Sequence, residues 1–347
     1  LHCRTDSYAL SCTAQFVFFR GVVIVDYPIY ADVLTARDFT RPHLPQTPLI
    51  YSWKLSRLLG CEYYIKCENM QPVGAFKVRG GVNLVGNLGA EERAVGIVSA
   101  STGNHGQSLA YAGHLFDVPV TIYGPAKNAN SDKVEAMRGL GAAVCLHGDD
   151  FDEAREEVGR VAVQKGARFV HSANEKALIA GVGVMGLELF DAQPDIEVVI
   201  APVGGGSGVC GNALVAKAQA HGVDVIAAQS AQAPVCYRAW KAGRLDVDGP
   251  METRHEGVAT RVPFQMTMDL MWQWVDDFVL VDDAEIDRAM RLLAELAKLV
   301  AEGSGAVSLA AALQMRERLR GKKVVGILTG GNVPSAHLAH LLVSRQS

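Results

Sequence analysis

Residues 88–171 alternate short β-branched runs with stretches of helical periodicity, and this rhythm restricts the fold more than any other feature. Ala94–Val98 reads as a buried strand. Gly106–Phe116 reads as a helix with Leu109, Ala110, Ala112, Gly113 and Phe116 on one face, and Val118–Tyr123 as the next strand. Ser131–Leu140 and Phe151–Lys165 continue as helices, Ala142–Leu146 and Arg168–His171 as strands. Strands separated by crossover helices pair in parallel, so the pattern specifies an α/β fold with parallel sheets flanked by helices. The second half repeats it. Glu197–Val203 and Val223–Ala228 read as strands around a helix near Val209–Ala220. Residues 231–275 are less regular. Ala284–Glu302 reads as one amphipathic helix with Ile286, Met290, Leu293, Leu296, Ala297 and Val300 on a stripe, followed by a helix over Ser308–Leu319 and a strand over Lys323–Leu328. Two units sharing a cleft follow: 88–171, and 26–87 joined with 172–340. Residues 1–25 stand apart as an extension, read as an added strand or a disordered stretch. Arg20 interrupts its apolar run and no Ala-x-Ala site follows, which argues against a signal peptide.

Composition narrows the function. Of 347 residues, 49% are hydrophobic and the net charge is -4, so nothing points to a nucleic-acid partner. No apolar run reaches the roughly 20 residues that span a bilayer, which excludes a membrane partner of that kind. The seven cysteines show no CxxC pair and no metal-type spacing with histidine. Free thiols and a cytoplasmic location are the default expectation.

Open α/β sheets bind ligands beyond the carboxyl ends of their strands, and four loops there carry chemistry. Ser99–Gly106 leaves a strand and opens a helix; its hydroxyls and backbone N–H groups suit either an ordinary N-cap or an anion. Gly204, Gly205, Gly206, Ser207 and Gly208 let the backbone wrap a small multivalent anion such as phosphate. Gly206–Gly211 also fits GxGxxG, but the following strand ends in Gln229 and Ser230 rather than the acidic residue that a dinucleotide ribose needs. Leu328–Val333 holds Thr329 in what is otherwise a turn, and Glu302–Ala306 reads as a helix exit followed by a new start. His105 and Asn174 read as hydrogen-bonding scaffold. Arg155 can hold a carboxylate bidentately, yet Asp152, Glu153, Glu156 and Glu157 around it suit a solvated helix face.

Lys77 lies between Phe76 and Val78, after a turn signal at Pro72–Gly74. Taken alone, it also suits a surface lysine resting on hydrophobic neighbours. Held against apolar surface instead, its amine favours the neutral form that Schiff-base chemistry requires.

Gln71-Pro-Val-Gly-Ala-Phe-Lys77, Ser101-Thr-Gly-Asn-His105, the glycine loop at 204–208 and Thr329-Gly-Gly-Asn332 occur in one order. Together they resemble the fold-type II pyridoxal-phosphate (PLP) enzymes of the tryptophan synthase β-like fold, specifically the threonine/serine dehydratase and serine racemase group. The resemblance implies PLP as cofactor, with Lys77 carrying it as a Schiff base and acting as general base. It places Phe76 beside the ring, Asn104 on the ring hydroxyl, and Gly204, Gly205, Gly206, Ser207 and Gly208 on the phosphate. Thr329 faces the ring nitrogen and Gly257 lies on the cofactor side. Ser101, Thr102, Gly103, Asn104 and His105 hold the substrate carboxylate. The unit formed by 26–87 and 172–340 becomes the large PLP-binding domain and 88–171 the small one. The implied reaction is dehydration and deamination of an L-threonine/L-serine-type amino acid to a 2-oxo acid and ammonia, in a homodimer.

Departures leave alternatives. Thr102 stands where racemases use a serine on the opposite cofactor face; its extra methyl restricts χ1 and disfavours racemisation. Gln229, Ala233 and Val235 stand where racemase-like members build a divalent-cation site, so no metal is expected. Ala180–Gly183 replaces Ala-Gly-Gln-Gly and loses an amide, which alters the expected pocket for the β-substituent and suits a larger, more apolar substrate such as phenylserine; 3-hydroxyaspartate is the other bulkier alternative. Little chain follows residue 332, and isoleucine feedback through a C-terminal regulatory domain is not expected. A protein of another class, holding phosphate without catalysis, is the remaining alternative.

Overall fold

The computed structural model describes residues 26–343 other than 102, 128–130, 150 and 220–221. The N-terminal extension and Thr102 therefore lie outside the described residues.

The strands are β1 (Leu49–Tyr51), β2 (Glu62–Cys67), β3 (Ile97–Ala100), β4 (Val120–Gly124), β5 (Ala143–Leu146), β6 (Arg168–Phe169), β7 (Val198–Pro202), β8 (Asp224–Ser230), β9 (Asp277–Val281) and β10 (Lys323–Leu328). They form a six-stranded sheet, β1-β2-β10-β7-β8-β9, and a four-stranded sheet, β5-β4-β3-β6. All pairings are parallel except β1 with β2. That exception was not anticipated. Helix Trp53–Leu59, closed by left-handed Gly60 at φ 72°, turns the chain back and makes β1 an antiparallel edge.

Three expected elements shift. The strand expected over Ala94–Val98 begins at Ile97, because Ala90–Val95 is helical and Gly96 stops it. Gly96 has φ 88°, and a Cβ there would lie 2.4 Å from the Pro119 carbonyl oxygen. The helix expected over Ala284–Glu302 runs Asp283–Leu292, widens into a π-type turn at Leu293–Ala297 and ends at Lys298, φ 61°. Val300 leaves the stripe; it is exposed and its carbonyl accepts from Asn69 Nδ2 at 3.1 Å. The helix expected from Ser308 starts at Gly303 and runs to Gln314, followed by Arg316–Leu319.

Helix Lys176–Ala192 is apolar on most sides and is accordingly buried. Its glycines permit close packing. A Cβ on Gly181 would lie 2.6 Å from the Arg79 carbonyl oxygen, and one on Gly211 of the facing helix Ser207–Gln219 would lie 2.8 Å from the Gly183 amide nitrogen. Val182 sits in the hydrophobic core. Ala180–Gly183 packs against helices Lys77–Gly86 and Ser207–Gln219. Helix Lys77–Gly86 places Val78, Val82 and Val85 in a core shared with Ile97, Leu109 and Ile122 of the smaller-sheet layer. We propose a division into lobes built on the two sheets, with this helix counted in the smaller.

A buried charge network fixes that helix. Arg79 Nε donates to Glu68 Oε2 at 2.7 Å, and Arg79 NH1 to Glu188 Oε1 at 2.8 Å. Lys66 Nζ donates to Glu188 Oε2 at 2.6 Å and to the Thr47 carbonyl at 2.8 Å. Two cations and two carboxylates thus balance where β2, the Lys77 helix and the Lys176 helix meet.

Candidate active site

The segment before Lys77 is stitched to the loop after β10. Gly74, φ 68°, closes a turn by donating its N–H to the Gln71 carbonyl at 2.7 Å. Ala75 bridges to Gly330, and the Phe76 N–H donates to the Thr329 carbonyl at 2.9 Å. After that turn, Lys77 is the first residue of helix Lys77–Gly86, where it needs no intrahelical acceptor for its N–H. Its Nζ donates to the Ser172 carbonyl at 3.0 Å and to Ser207 Oγ at 2.9 Å, and lies 5.3 Å from the Phe76 ring centroid. Burial lowers its pKa to about 8, so far more neutral amine is present near neutrality than for an ordinary lysine.

The glycine loop follows β7 and ends at helix Ser207–Gln219, whose N-terminus carries free amides and positive dipole. Gly206 has φ 97°. A Cβ on Gly204 would come within 2.3 Å of the Gly257 carbonyl oxygen, and one on Gly205 within 2.6 Å of Ala173 Cβ. Thr267 Oγ1 donates to the Gly205 carbonyl at 2.8 Å and holds the loop from outside. Ser207 is buried and faces Lys77. Gly257 thus backs the loop.

The Ser101–His105 loop opens helix Asn104–Phe116. Ser101 Oγ accepts N–H groups from Gly103 at 3.2 Å and Gly106 at 2.9 Å. Asn104 Nδ2 donates to Glu302 Oε1 at 2.6 Å, and its Oδ1 accepts from Asn332 Nδ2 at 2.8 Å. One Nδ2 hydrogen remains for a ring hydroxyl. Ser99 Oγ donates to the Val170 carbonyl at 2.7 Å and lies 3.0 Å from His105 Nε2. Having used its proton there, Ser99 accepts from Nε2–H, leaving His105 Nδ1 as a buried acceptor without a protein partner. Burial and the Lys77 charge keep His105 neutral. The same causes lower His171 to about 4, and its Nδ1 accepts N–H groups from Ala173 and Asn174. Asn174 Oδ1 in turn accepts from the Met266 N–H at 2.9 Å. His171 and Asn174 are scaffold. The Arg155 charge acts on His171.

Thr329 is buried, and its Oγ1 has no hydrogen-bond partner. An orphaned hydroxyl opposite a lysine and a glycine cradle fits the ring nitrogen and phosphate of PLP. Glu302 was missed as a site residue. Burial raises its pKa against the hydrogen bonds from Ser304 and Asn104. The sequence signal was a carboxylate opening a Gly-Ser-Gly helix start. Gln229 Oε1 accepts from the Tyr237 N–H, while Ala233 and Val235 are buried. Among the described residues no group of three or more His, Cys, Asp or Glu is placed to hold a metal, and no helix is long and apolar enough to cross a membrane.

Comparison with known proteins decides the family. The pyridoxal-phosphate dependent enzymes match residues 40–330. The chain belongs to that family. Its fold is fold-type II, and PLP is its cofactor. The chain is 40% identical to L-threonine ammonia-lyase of Thermotoga maritima over 302 residues, covering 87% of this chain and 75% of that protein. It is 36% identical to beta-hydroxyaspartate dehydratase of Paracoccus denitrificans over 310 residues, covering 88% and 96%. Among solved structures, serine racemase of Dictyostelium discoideum superposes with a TM-score of 0.83 at 32% identity, covering 88% of this chain and 99% of that one. The PLP enzyme described here thus resembles lyases and a racemase alike.

Proposed function

We propose that this PLP enzyme is an ammonia-lyase that removes water from a β-hydroxy amino acid of the L-threonine/L-serine type and releases a 2-oxo acid and ammonia. Bound between Lys77, the 204–208 loop and Thr329, PLP supplies an electron sink for the α-carbon. The observation that carries the reading is Thr329. Its hydroxyl is neutral and weakly acidic, so it does not hold a ring nitrogen protonated as a carboxylate would. Charge then stays closer to the α-carbon, which favours prompt loss of the β-hydroxyl over transamination.

The chain's own residues divide the remaining work. Lys77 Nζ, with its lowered pKa, accepts the α-proton. The first-turn amides of helix Asn104–Phe116 bind the substrate carboxylate. The network of Asn332, Asn104 and Glu302 orients the Asn104 amide. The glycine loop and its helix dipole hold the phosphate and set the ring's position.

A racemase is the second reading, supported by the structural likeness to serine racemase. The dehydratase relative named for beta-hydroxyaspartate supports a dicarboxylate variant of the first. Purified enzyme with PLP is assayed on L-threonine, L-serine, phenylserine and 3-hydroxyaspartate for 2-oxo acid, ammonia and D-enantiomer. Release of 2-oxo acid with equimolar ammonia is expected. D-enantiomer without ammonia would establish the racemase instead, and no turnover of any of the four would refute the reading.

A further inference from the structure

The cleft holds one charged contact that the account above does not use. Lys133 lies on helix Ser131–Gly139 of the smaller lobe, with its side chain only 15% exposed. Its Nζ donates to Glu256 Oε2 at 2.5 Å. Glu256 opens the short turn Glu256–Val258 beside Gly257, the residue that backs the phosphate loop, and its side chain is 59% exposed. The same Nζ lies 3.8 Å from where a Cβ on Gly103 would stand. Gly103 precedes the first-turn amides of helix Asn104–Phe116. The Lys133 charge also reaches buried Glu302 and favours its ionised form. An ammonium, the positive end of a helix and a glycine that admits close approach therefore converge on one spot. A carboxylate, that of Glu256, already sits against the ammonium there.

We propose that Lys133 positions the substrate's α-carboxylate, and that the Glu256 carboxylate holds this place until substrate displaces it. The proposal rests on the amino-acid substrate proposed above and names the side chain that completes its carboxylate site. Glu256 suits a displaceable partner because it is exposed and sits on a three-residue turn. Lys133 suits a fixed one because its stem is largely covered.

The test is equilibrium binding of glycine to the PLP-loaded enzyme, followed by the change in cofactor absorbance. Glycine carries the α-carboxylate and no β-hydroxyl, so binding is read apart from elimination. Lys133→Met keeps the volume of the stem and removes the charge. It is expected to raise the glycine Kd about tenfold or more, the scale of a lost charge-assisted hydrogen bond. Lys133→Arg recovers most of the affinity. Glu256→Gln removes the competing carboxylate, so its glycine Kd equals that of the parent or falls below it. If Lys133 and Glu256 served only as a latch between the lobes, both neutral variants would weaken glycine alike, and that result would overturn the proposal. So would a Kd for Lys133→Met within twofold of the parent. An enzyme that binds glycine through Lys133 yet forms no 2-oxo acid from any β-hydroxy amino acid would refute the lyase reading and leave this one standing.

Discussion

Replacing Arg79 by methionine tests how the lysine-bearing helix is anchored. The guanidinium makes five hydrogen bonds: to Glu68 at 2.7 and 2.9 Å, to Glu188 at 2.8 and 2.7 Å, and to Thr47 Oγ1 at 3.3 Å. Four of these join the guanidinium to an ionised carboxylate. At roughly 1.5–3 kcal/mol each, they sum to about 6–12 kcal/mol. Desolvating the ionised groups costs several kcal/mol apiece and cancels much of that sum. Deleting one partner is a different matter, because it strands Glu68, which has no exposed side-chain surface, beside the methionine. The expected loss is therefore about 3–5 kcal/mol. It is read from the urea midpoint at fixed PLP concentration, with the m-value as a check on the transition. The Arg79 charge, working against burial, holds the Glu68 carboxyl below its usual range. A depressed carboxylate contributes stability above its unfolded pKa and loses it as pH falls through the folded one. The deficit of the variant should thus narrow toward acid pH. Arg79→Met combined with Glu68→Gln should recover part of the loss, since no stranded charge remains at position 68. A single-variant deficit below about 1 kcal/mol would refute the argument that this network anchors the helix.

Three further outcomes follow from the site. The rate of PLP capture by the cofactor-free chain should rise with pH and level off above about 8, where Lys77 Nζ becomes neutral; a flat profile from pH 6 to 9 would contradict the burial argument. Thr329→Val removes a hydroxyl that has no protein partner, so the urea midpoint should hold while kcat falls roughly tenfold or more; loss of stability with unchanged kcat would reverse that assignment. Activity should survive EDTA, because Gln229, Ala233 and Val235 supply no carboxylate; abolition by EDTA with rescue by Mg²⁺ would refute this.

The sequence was most legible where backbone chemistry is local. The glycine run at 204–208 needed no knowledge of the fold, because few other residues allow φ 97° at position 206 or the approach of Gly257 to Gly204. Lys77 was legible for its apolar neighbours and the turn before it. Its place at a helix start was not, because the Ala75–Gly330 bridge and the Phe76–Thr329 bond that set it join residues about 250 positions apart. Glu302 was passed over for a similar reason: its partner Asn104 is distant in sequence, and a Glu-Gly-Ser-Gly run reads locally as a helix boundary. Lys133 carries no local signal at all, since a lysine at a helix start resembles any solvated charge. The Ala284–Glu302 stripe misled because periodicity does not register the widened turn or the left-handed Lys298 that ends it.

Borohydride reduction of the PLP-loaded enzyme, followed by proteolysis and mass analysis, tests the central claim most directly. The account predicts one stable pyridoxyl adduct, on the peptide containing Lys77, and none in Lys77→Ala, which should keep its fold by circular dichroism and lose turnover. An adduct on a different lysine, or no adduct in a sample shown to contain PLP, would contradict it.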